Sequence, residues 1–174
     1  MSFFAAPVVF NYNRTILEKI IHKFVDTYQL FERTTPVYSF RAVERDIILS
    51  TLGLTNGQDL FDFKIKQVTI GVLKPVEHLG IHVDSDMHGN LTLKALNIPV
   101  TDCKDVFMNW YLPKADNLIR TVESAQGWTI PALSRRDAIC KFTISCMEPF
   151  VVNPSVFHDI INSSDTNQLI ISIR

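Results

Sequence analysis

The order of apolar and polar residues changes character part-way along the chain. From Arg14 to Tyr28 the apolar residues recur at helical spacing, and Asn13 precedes them as a candidate N-cap. A weaker helical pattern runs from Ala42 to Leu52 and is followed by Gly53, a residue typical of helix C-terminal ends. The sequence therefore predicts two helices near the start, the first with one face packed on a sheet.

After these helices, short segments with the alternation and composition of strands follow one another. Phe61 to Lys66 alternates strictly between apolar and polar residues, and Val68 to Leu73 is rich in β-branched residues. Further predicted strands are 79–83, 91–100, 106–112, 140–146, 156–161 and 169–173. Many short strands separated by turn residues indicate a sandwich or a barrel.

The length and composition fit one globular domain. The chain has 174 residues, of which 47% are hydrophobic and 20% charged. We therefore expect a single domain over 1–174, in which 1–60 provides helical support and 61–174 forms the β core. The less periodic segment 116–137 is expected to be a long insertion near the barrel mouth, within bounds near 113–138.

Charge and hydropathy exclude several classes of partner. The net charge is −1 and the basic residues are scattered, which disfavours extended nucleic-acid binding. No apolar run reaches the roughly 20 residues of a membrane helix, and the first residues lack the basic region of a secretion signal. The sequence has three cysteines and no Cys-x-x-Cys pair, so we expect Cys103, Cys140 and Cys146 to be reduced. We expect a cytoplasmic protein with no membrane partner.

Residues typical of metal ligands stand at the ends of two predicted strands. His82 and Asp84 would point to one side, because strand positions i and i+2 share a face. Far along the chain, His158 begins another predicted strand. Two histidines and a carboxylate, here called the triad, leave open coordination positions and suit non-haem Fe(II). A His-x-Asp pair alone is also common as a surface hydrogen-bonded pair, and Asp86 is a less favoured carboxylate.

The residues around the triad resemble a known superfamily. In order they are His82-Val83-Asp84, Ala95-Leu96-Asn97-Ile98-Pro99-Val100, Asn109-Trp110-Tyr111 and Pro154-Ser155-Val156-Phe157-His158-Asp159-Ile160-Ile161-Asn162. This order resembles the core of the Fe(II)- and 2-oxoglutarate-dependent oxygenases, particularly small members related to the aspartyl/asparaginyl and prolyl hydroxylases. The likeness covers roughly Val68 to Arg174. It implies a mainly β, cupin-like jelly roll (a double-stranded β-helix) with the N-terminal helices packed on the outer sheet.

The resemblance also implies roles for individual residues. The triad would bind Fe(II), and a basic residue of the last strand would hold the far carboxylate of the co-substrate 2-oxoglutarate. Members often carry an arginine early in that strand, where this chain has Gln168. Arg174 shares a strand face with Gln168 and Ser172, and Ser172 and Arg174 together could receive the carboxylate.

Other residues are candidates for the same cavity. Lys94 and Asn97 lie out of phase on one predicted strand, so only one can face inward. Asn97 is favoured because its amide can donate to the co-substrate carboxylate, and Lys94 is the lesser candidate. Tyr111 or Trp110 is expected either to line the cavity or to pack in the core.

The sequence thus predicts a dioxygenase acting on an unknown substrate, such as a peptide side chain or a small metabolite. The alternatives are a metal-binding cupin-like protein without 2-oxoglutarate turnover, an idea motivated by Gln168, and a cupin-type enzyme using another metal. Arg135 and Arg136 could recognise an acidic substrate, although a solvated charge pair is favoured. His88 is expected to be an exposed turn residue, and Trp128 could help to shape a pocket.

Overall fold

Two helices come early in the chain, at the positions that the sequence predicts. The computed structural model describes residues 4–85, 90–92, 94–124, 127 and 129–174. Helix α1 spans Arg14–Tyr28, and the Asn13 side chain caps it by accepting a hydrogen bond from the Ile16 N–H. Helix α2 spans Ala42–Thr51, and Gly53 follows it with a φ of 70°. Neither helix is long and apolar enough to cross a membrane.

Most of the remaining regular structure is β. Short 3₁₀ turns lie at Leu30–Glu32, Asp116–Leu118 and Arg135–Asp137. In chain order the strands are β1 (Ala5–Pro7), β2 (Val37–Ser39), β3 (Asp59–Leu60), β4 (Phe63–Lys64), β5 (Val68–Leu73), β6 (Ile81–His82), β7 (Ala95–Pro99), β8 (Val106–Pro113), β9 (Arg120–Glu123), β10 (Thr129–Leu133), β11 (Ala138–Ser145), β12 (Phe150–Val152), β13 (His158–Asn162) and β14 (Gln168–Ile173).

Within the described residues, these strands form two six-stranded antiparallel sheets and one small hairpin. The major sheet has the order β1-β12-β7-β14-β5-β2, and the minor sheet has the order β11-β8-β13-β6-β10-β9. Strands β3 and β4 pair only with each other. Neighbours in both sheets are mostly distant in sequence, as in a jelly roll.

The major sheet is apolar on both faces. Its outer face packs against both helices in one cluster that includes Ile21 of α1, Ile48 of α2 and Ile171 of β14. Its inner face meets the minor sheet, where Ile170 packs with Trp110 and Met108. Because successive strand residues alternate, Ser172 and Arg174 follow Ile170 onto the inner face. The helices therefore cover the outer sheet, as predicted, and the last strand directs its even-numbered residues between the sheets.

Two segments differ from the sequence prediction. Strand β10 pairs with both β6 and β9, so part of the expected insertion 116–137 extends the minor sheet. Every residue of β9 is exposed, which removes the inside–outside alternation that predicts a strand. The alternating segment from Phe61 to Lys66 is not one strand either. Phe61 and Asp62 form the turn between β3 and β4 with φ values of 46° and 65°.

Candidate metal centre

Three neighbouring strands hold the two histidines of the triad in place. His82 of β6 lies directly opposite His158 of β13, and Ala132 of β10 lies opposite His82 on the other side. Asp84 follows two residues after His82. Its N–H donates to the Pro154 carbonyl oxygen at 2.9 Å, close to the start of β13. Strand pairing therefore brings together ligand residues that lie far apart in sequence.

The donor atoms of the triad converge on one point. His82 Nε2 lies 3.2 Å from Asp84 Oδ1, and His158 Nε2 lies 3.8 Å from the same oxygen. The three potential ligand atoms all lie within 4.8 Å of one another. With metal–nitrogen bonds of about 2.0–2.1 Å, adjacent ligand atoms stand about 3 Å apart, so small side-chain movements would complete a site.

Backbone carbonyls set the tautomer of both histidines. Nδ1–H of His82 donates to the Gly80 carbonyl oxygen at 2.6 Å, and Nδ1–H of His158 donates to the Val156 carbonyl oxygen at 2.9 Å. A carbonyl oxygen can only accept, so in the neutral imidazoles the proton sits on Nδ1. Each Nε2 then presents a lone pair towards Asp84, which is the form that binds a metal.

Burial and charge shift the pKa values of all three triad side chains, and they favour the ligand form for His158 and Asp84. Burial lowers the pKa of His158 to about 4, so this imidazole is neutral at pH 7. For His82, burial would lower the pKa, but the Asp84 carboxylate outweighs it and raises the pKa. Burial would raise the pKa of Asp84, but Arg174 and the histidines together hold it far below its usual range. Asp84 is therefore ionised.

Arg174 forms a direct ion pair with the triad carboxylate. Its Nη1 lies 2.9 Å from Asp84 Oδ2, whereas the histidines approach Oδ1. The Nε of Arg174 is buried and has no hydrogen-bond partner in the described structure. Arg174 thus presents one donor that is available to a further anion beside the triad.

Two other predicted residues lie on the inner face with Arg174. Ser172 of β14 stands opposite Asn97 of β7, so their side chains are neighbours between the sheets. Asn97 is 5% exposed and donates only a long contact of 3.9 Å to the Met108 sulfur. Its Oδ1 is buried without a partner among the described residues. Arg174, Ser172 and Asn97 therefore form a polar strip in an otherwise apolar interior.

Tyr111 does not line this interior, which corrects the expectation for that residue. Trp110 faces the triad, with its ring centroid 6.5 Å from that of His158. Because adjacent strand residues point to opposite faces, Tyr111 faces away. Its hydroxyl donates to Asp159 Oδ2 at 3.1 Å, on the outer face of the minor sheet.

Gln168 and Lys94 contact residues other than the triad. Gln168 accepts a hydrogen bond from Thr101 Oγ1 at 2.6 Å and donates to Thr166 Oγ1 at 2.9 Å, so it braces the turn before β14. Lys94 Nζ lies 3.4 Å from Asp62 Oδ2 in the small hairpin. An arginine at Gln168 would point into the same hydroxyl cluster.

The remaining candidates divide into two groups. Asp86, His88 and Trp128 lie outside the described residues. Arg135 donates to Asp159 Oδ2 at 2.7 Å and is therefore paired, whereas Arg136 is largely exposed beside Asp137. No local sequence pattern predicts the Arg135–Asp159 pair, because this pair joins a 3₁₀ turn to the outer face of β13.

Solved structures with a similar architecture include a non-haem carbocyclase and a protein with nickel and 2-oxoglutarate bound. The chain is similar to the non-haem alpha ketoglutarate dependent carbocyclase SnoK from nogalamycin biosynthesis, with a TM-score of 0.52, 12% identity and coverage of 98% of this chain and 79% of that chain. It is similar to HygX from Streptomyces hygroscopicus with nickel and 2-oxoglutarate bound, with a TM-score of 0.51, 8% identity and coverage of 98% and 81%. AviO1 from Streptomyces viridochromogenes Tue57 gives a TM-score of 0.50, 14% identity and coverage of 98% and 88%.

What these proteins share with the chain is the fold. At such identities the likeness extends no further than the cupin-like jelly roll, which confirms the predicted fold class. No family model and no curated protein matches the chain. The residues of the site are therefore the only basis for a function.

Proposed function

We propose that the chain is an Fe(II)- and 2-oxoglutarate-dependent dioxygenase that hydroxylates an organic substrate. The observation that supports this most is the triad: two imidazole lone pairs and one ionised carboxylate meet within 4.8 Å. This donor set leaves open positions and suits non-haem Fe(II). When bound, iron and 2-oxoglutarate would supply the activation of dioxygen, which the side chains alone cannot perform.

The charges around the triad fit a divalent metal together with a dianion. Asp84 and Arg174 neutralise each other at 2.9 Å, so a bound divalent ion would leave an excess of two positive charges. Such an excess is costly in a buried site unless an anion accompanies the metal. 2-Oxoglutarate carries two negative charges and would balance it.

The polar strip offers contacts for the far carboxylate of 2-oxoglutarate. The free Nε donor of Arg174 is the leading contact, because a guanidinium donates strongly to carboxylates. Ser172 adds a hydroxyl, and the Asn97 amide can turn over to present its NH₂ group. In this proposal the protein orients the co-substrate and keeps the interior dry, with Trp110 shielding His158.

The first experiment measures metal binding by thermal unfolding of the full chain with and without Fe(II) or Mn(II). At a metal concentration about 100 times Kd, binding adds about 2.7 kcal/mol, which raises Tm by about 5–10 °C. His158→Ala should abolish this rise. His22→Ala is the matched control, because His22 lies on α1 beside Glu18 and should leave the rise intact.

The second experiment measures succinate released from 2-oxoglutarate under air with Fe(II) and ascorbate. Release that disappears in His158→Ala would support the dioxygenase. Arg174→Met should raise the KM for 2-oxoglutarate about tenfold or more while the metal-dependent rise in Tm persists. Arg136→Met, which removes an exposed arginine, is the control. Metal binding with neither succinate release nor 2-oxoglutarate affinity would refute turnover and favour a metal-binding cupin-like protein.

A further inference from the structure

A surface cleft beside the triad is lined mostly by positive side chains. This basic cleft has a volume of about 540 Å³, and its charged lining residues are Asp62, Lys64, Lys66, Lys94 and Arg174. Four of these five carry positive charge, although the net charge of the whole chain is −1. The cleft is therefore a local concentration of positive charge on a nearly neutral protein.

The basic cleft adjoins the triad through Asp84. Arg174 lines the cleft and places Nη1 2.9 Å from Asp84 Oδ2. Thr92 also lines the cleft, and its N–H donates to the Asp84 carbonyl oxygen at 3.1 Å. A molecule in the cleft would thus lie next to residues that contact a proposed metal ligand.

The backbone fixes two of the lysines on the rim of the cleft. Ile65 is fully buried, so the alternation of the chain turns Lys64 and Lys66 outward together. The N–H of Lys66 donates to the Arg174 carbonyl oxygen at 2.7 Å, which holds Lys66 beside the arginine. Within the described part of the chain, Lys64 and Lys66 form no ion pair, so their charge is available to a ligand.

The small hairpin, which also contains Lys64, contacts the third lysine of the cleft. Lys94 Nζ contacts both Asp62 Oδ2 and the Phe61 carbonyl oxygen at 3.4 Å. The φ values of 46° at Phe61 and 65° at Asp62 are uncommon for residues other than glycine, and a bulky residue such as Phe61 tolerates them least. Backbone strain of this kind persists where the surroundings fix a conformation and is common at binding sites.

We propose that the basic cleft binds an anionic group, a phosphate or a carboxylate, on the small-molecule substrate of the proposed dioxygenase. This inference rests on the proposed function for the reaction, but the anion site itself rests on the lysines. The volume falls in the usual range of about 300–1,000 Å³ for small-ligand pockets, and the net charge of −1 disfavours a nucleic acid. Arg174 lines the cleft but is paired with Asp84, whereas Lys64 and Lys66 form no ion pair within the described residues, so we assign the substrate anion to the two lysines.

The test is calorimetric titration of the metal-free full chain with two probes, inorganic pyrophosphate and tricarballylate. Metal is left out because a bound ion would itself recruit these anions. We expect measurable binding that weakens with added salt, and a Kd about tenfold higher in Lys64→Gln/Lys66→Gln, since this variant removes two exposed cations that would each pair with the anion. Lys104→Gln/Lys141→Gln is the matched control, since both lysines are exposed and neither lines the cleft.

Each outcome has a defined meaning. Tighter binding of pyrophosphate would indicate a phosphate on the substrate, and tighter binding of tricarballylate would indicate a carboxylate. Either result supports the proposal when binding weakens in Lys64→Gln/Lys66→Gln and not in the control variant. The proposal is overturned if the two double variants bind the probes with the same affinity, or if neither probe binds the protein. Because the titration contains neither metal nor 2-oxoglutarate, absence of succinate release would not alter its result. Loss of anion binding would likewise leave the evidence for turnover intact.

Discussion

The most direct test of the strand register around the triad is Tyr111→Phe. Tyr111 is 7% exposed, and its hydroxyl donates at 3.1 Å to Asp159, which is fully buried. A hydrogen bond to a charged group contributes about 1.5–3 kcal/mol. Asp159 keeps Asn109 and Arg135 as donors, at 2.8 and 2.7 Å, so the lower end applies. We expect a loss of about 1.5–2 kcal/mol in the free energy of unfolding.

The assays are urea unfolding and thermal unfolding at pH 7, with 2-oxoglutarate affinity measured on the same preparations. A loss of this size lowers Tm by about 3–8 °C in a domain of this length, without changing the 2-oxoglutarate affinity. The opposite pattern, unchanged stability with weaker 2-oxoglutarate binding, would refute the placement of Tyr111 on the outer face. It would restore the expectation that this tyrosine lines the cavity.

The same substitution has a pH signature. Burial, together with the Asp159 charge and hydrogen bond, raises the pKa of Tyr111 above its ordinary value of 10.0. The unfolded chain therefore loses this proton before the folded one does, and stability falls as pH rises above about 10. Tyr111→Phe has no proton to lose at this position. The stability difference between the two proteins should shrink above that pH, and a constant difference would contradict the assignment.

Two further predictions concern residues outside the triad. Gln168→Arg should not improve 2-oxoglutarate affinity. It should lower the free energy of unfolding by about 3 kcal/mol or more, because it buries a charge among hydroxyl groups. Tighter 2-oxoglutarate binding would contradict the placement of this side chain. Phe61→Asn should raise Tm by about 2–4 °C by relieving a positive φ at a bulky residue. A lower Tm would mean that packing of the Phe61 ring outweighs the strain.

Local sequence signals predicted the helices and two of the triad ligands. The helix over Arg14–Tyr28 has both its boundary signal and its periodicity within the segment itself. His82 and Asp84 share a side because of the two-residue period of extended chain. The inclusion of His158 in the triad rests mainly on the resemblance, since pairing of distant strands leaves no local mark in the sequence.

Features that depend on the pairing of distant strands, or on contact between the two sheets, could not be predicted. Adjacent strand residues face opposite sides, so only one of Trp110 and Tyr111 can face inward, and the register of β8 against β13 decides which. The same rule placed Arg174 on one face with Ser172. It could not show that the guanidinium reaches Asp84, because that contact joins the inner face of one sheet to a loop beside the other.

The direct pairing of His82 with His158 has a consequence for how misfolding could be detected. A slip of one residue between β6 and β13 would turn the His158 imidazole to the opposite side of the minor sheet while preserving most of the backbone ladder. Such a chain would keep a native-like circular dichroism spectrum yet would not gain stability from metal. Metal binding therefore also reports whether β6 and β13 are paired in the correct register.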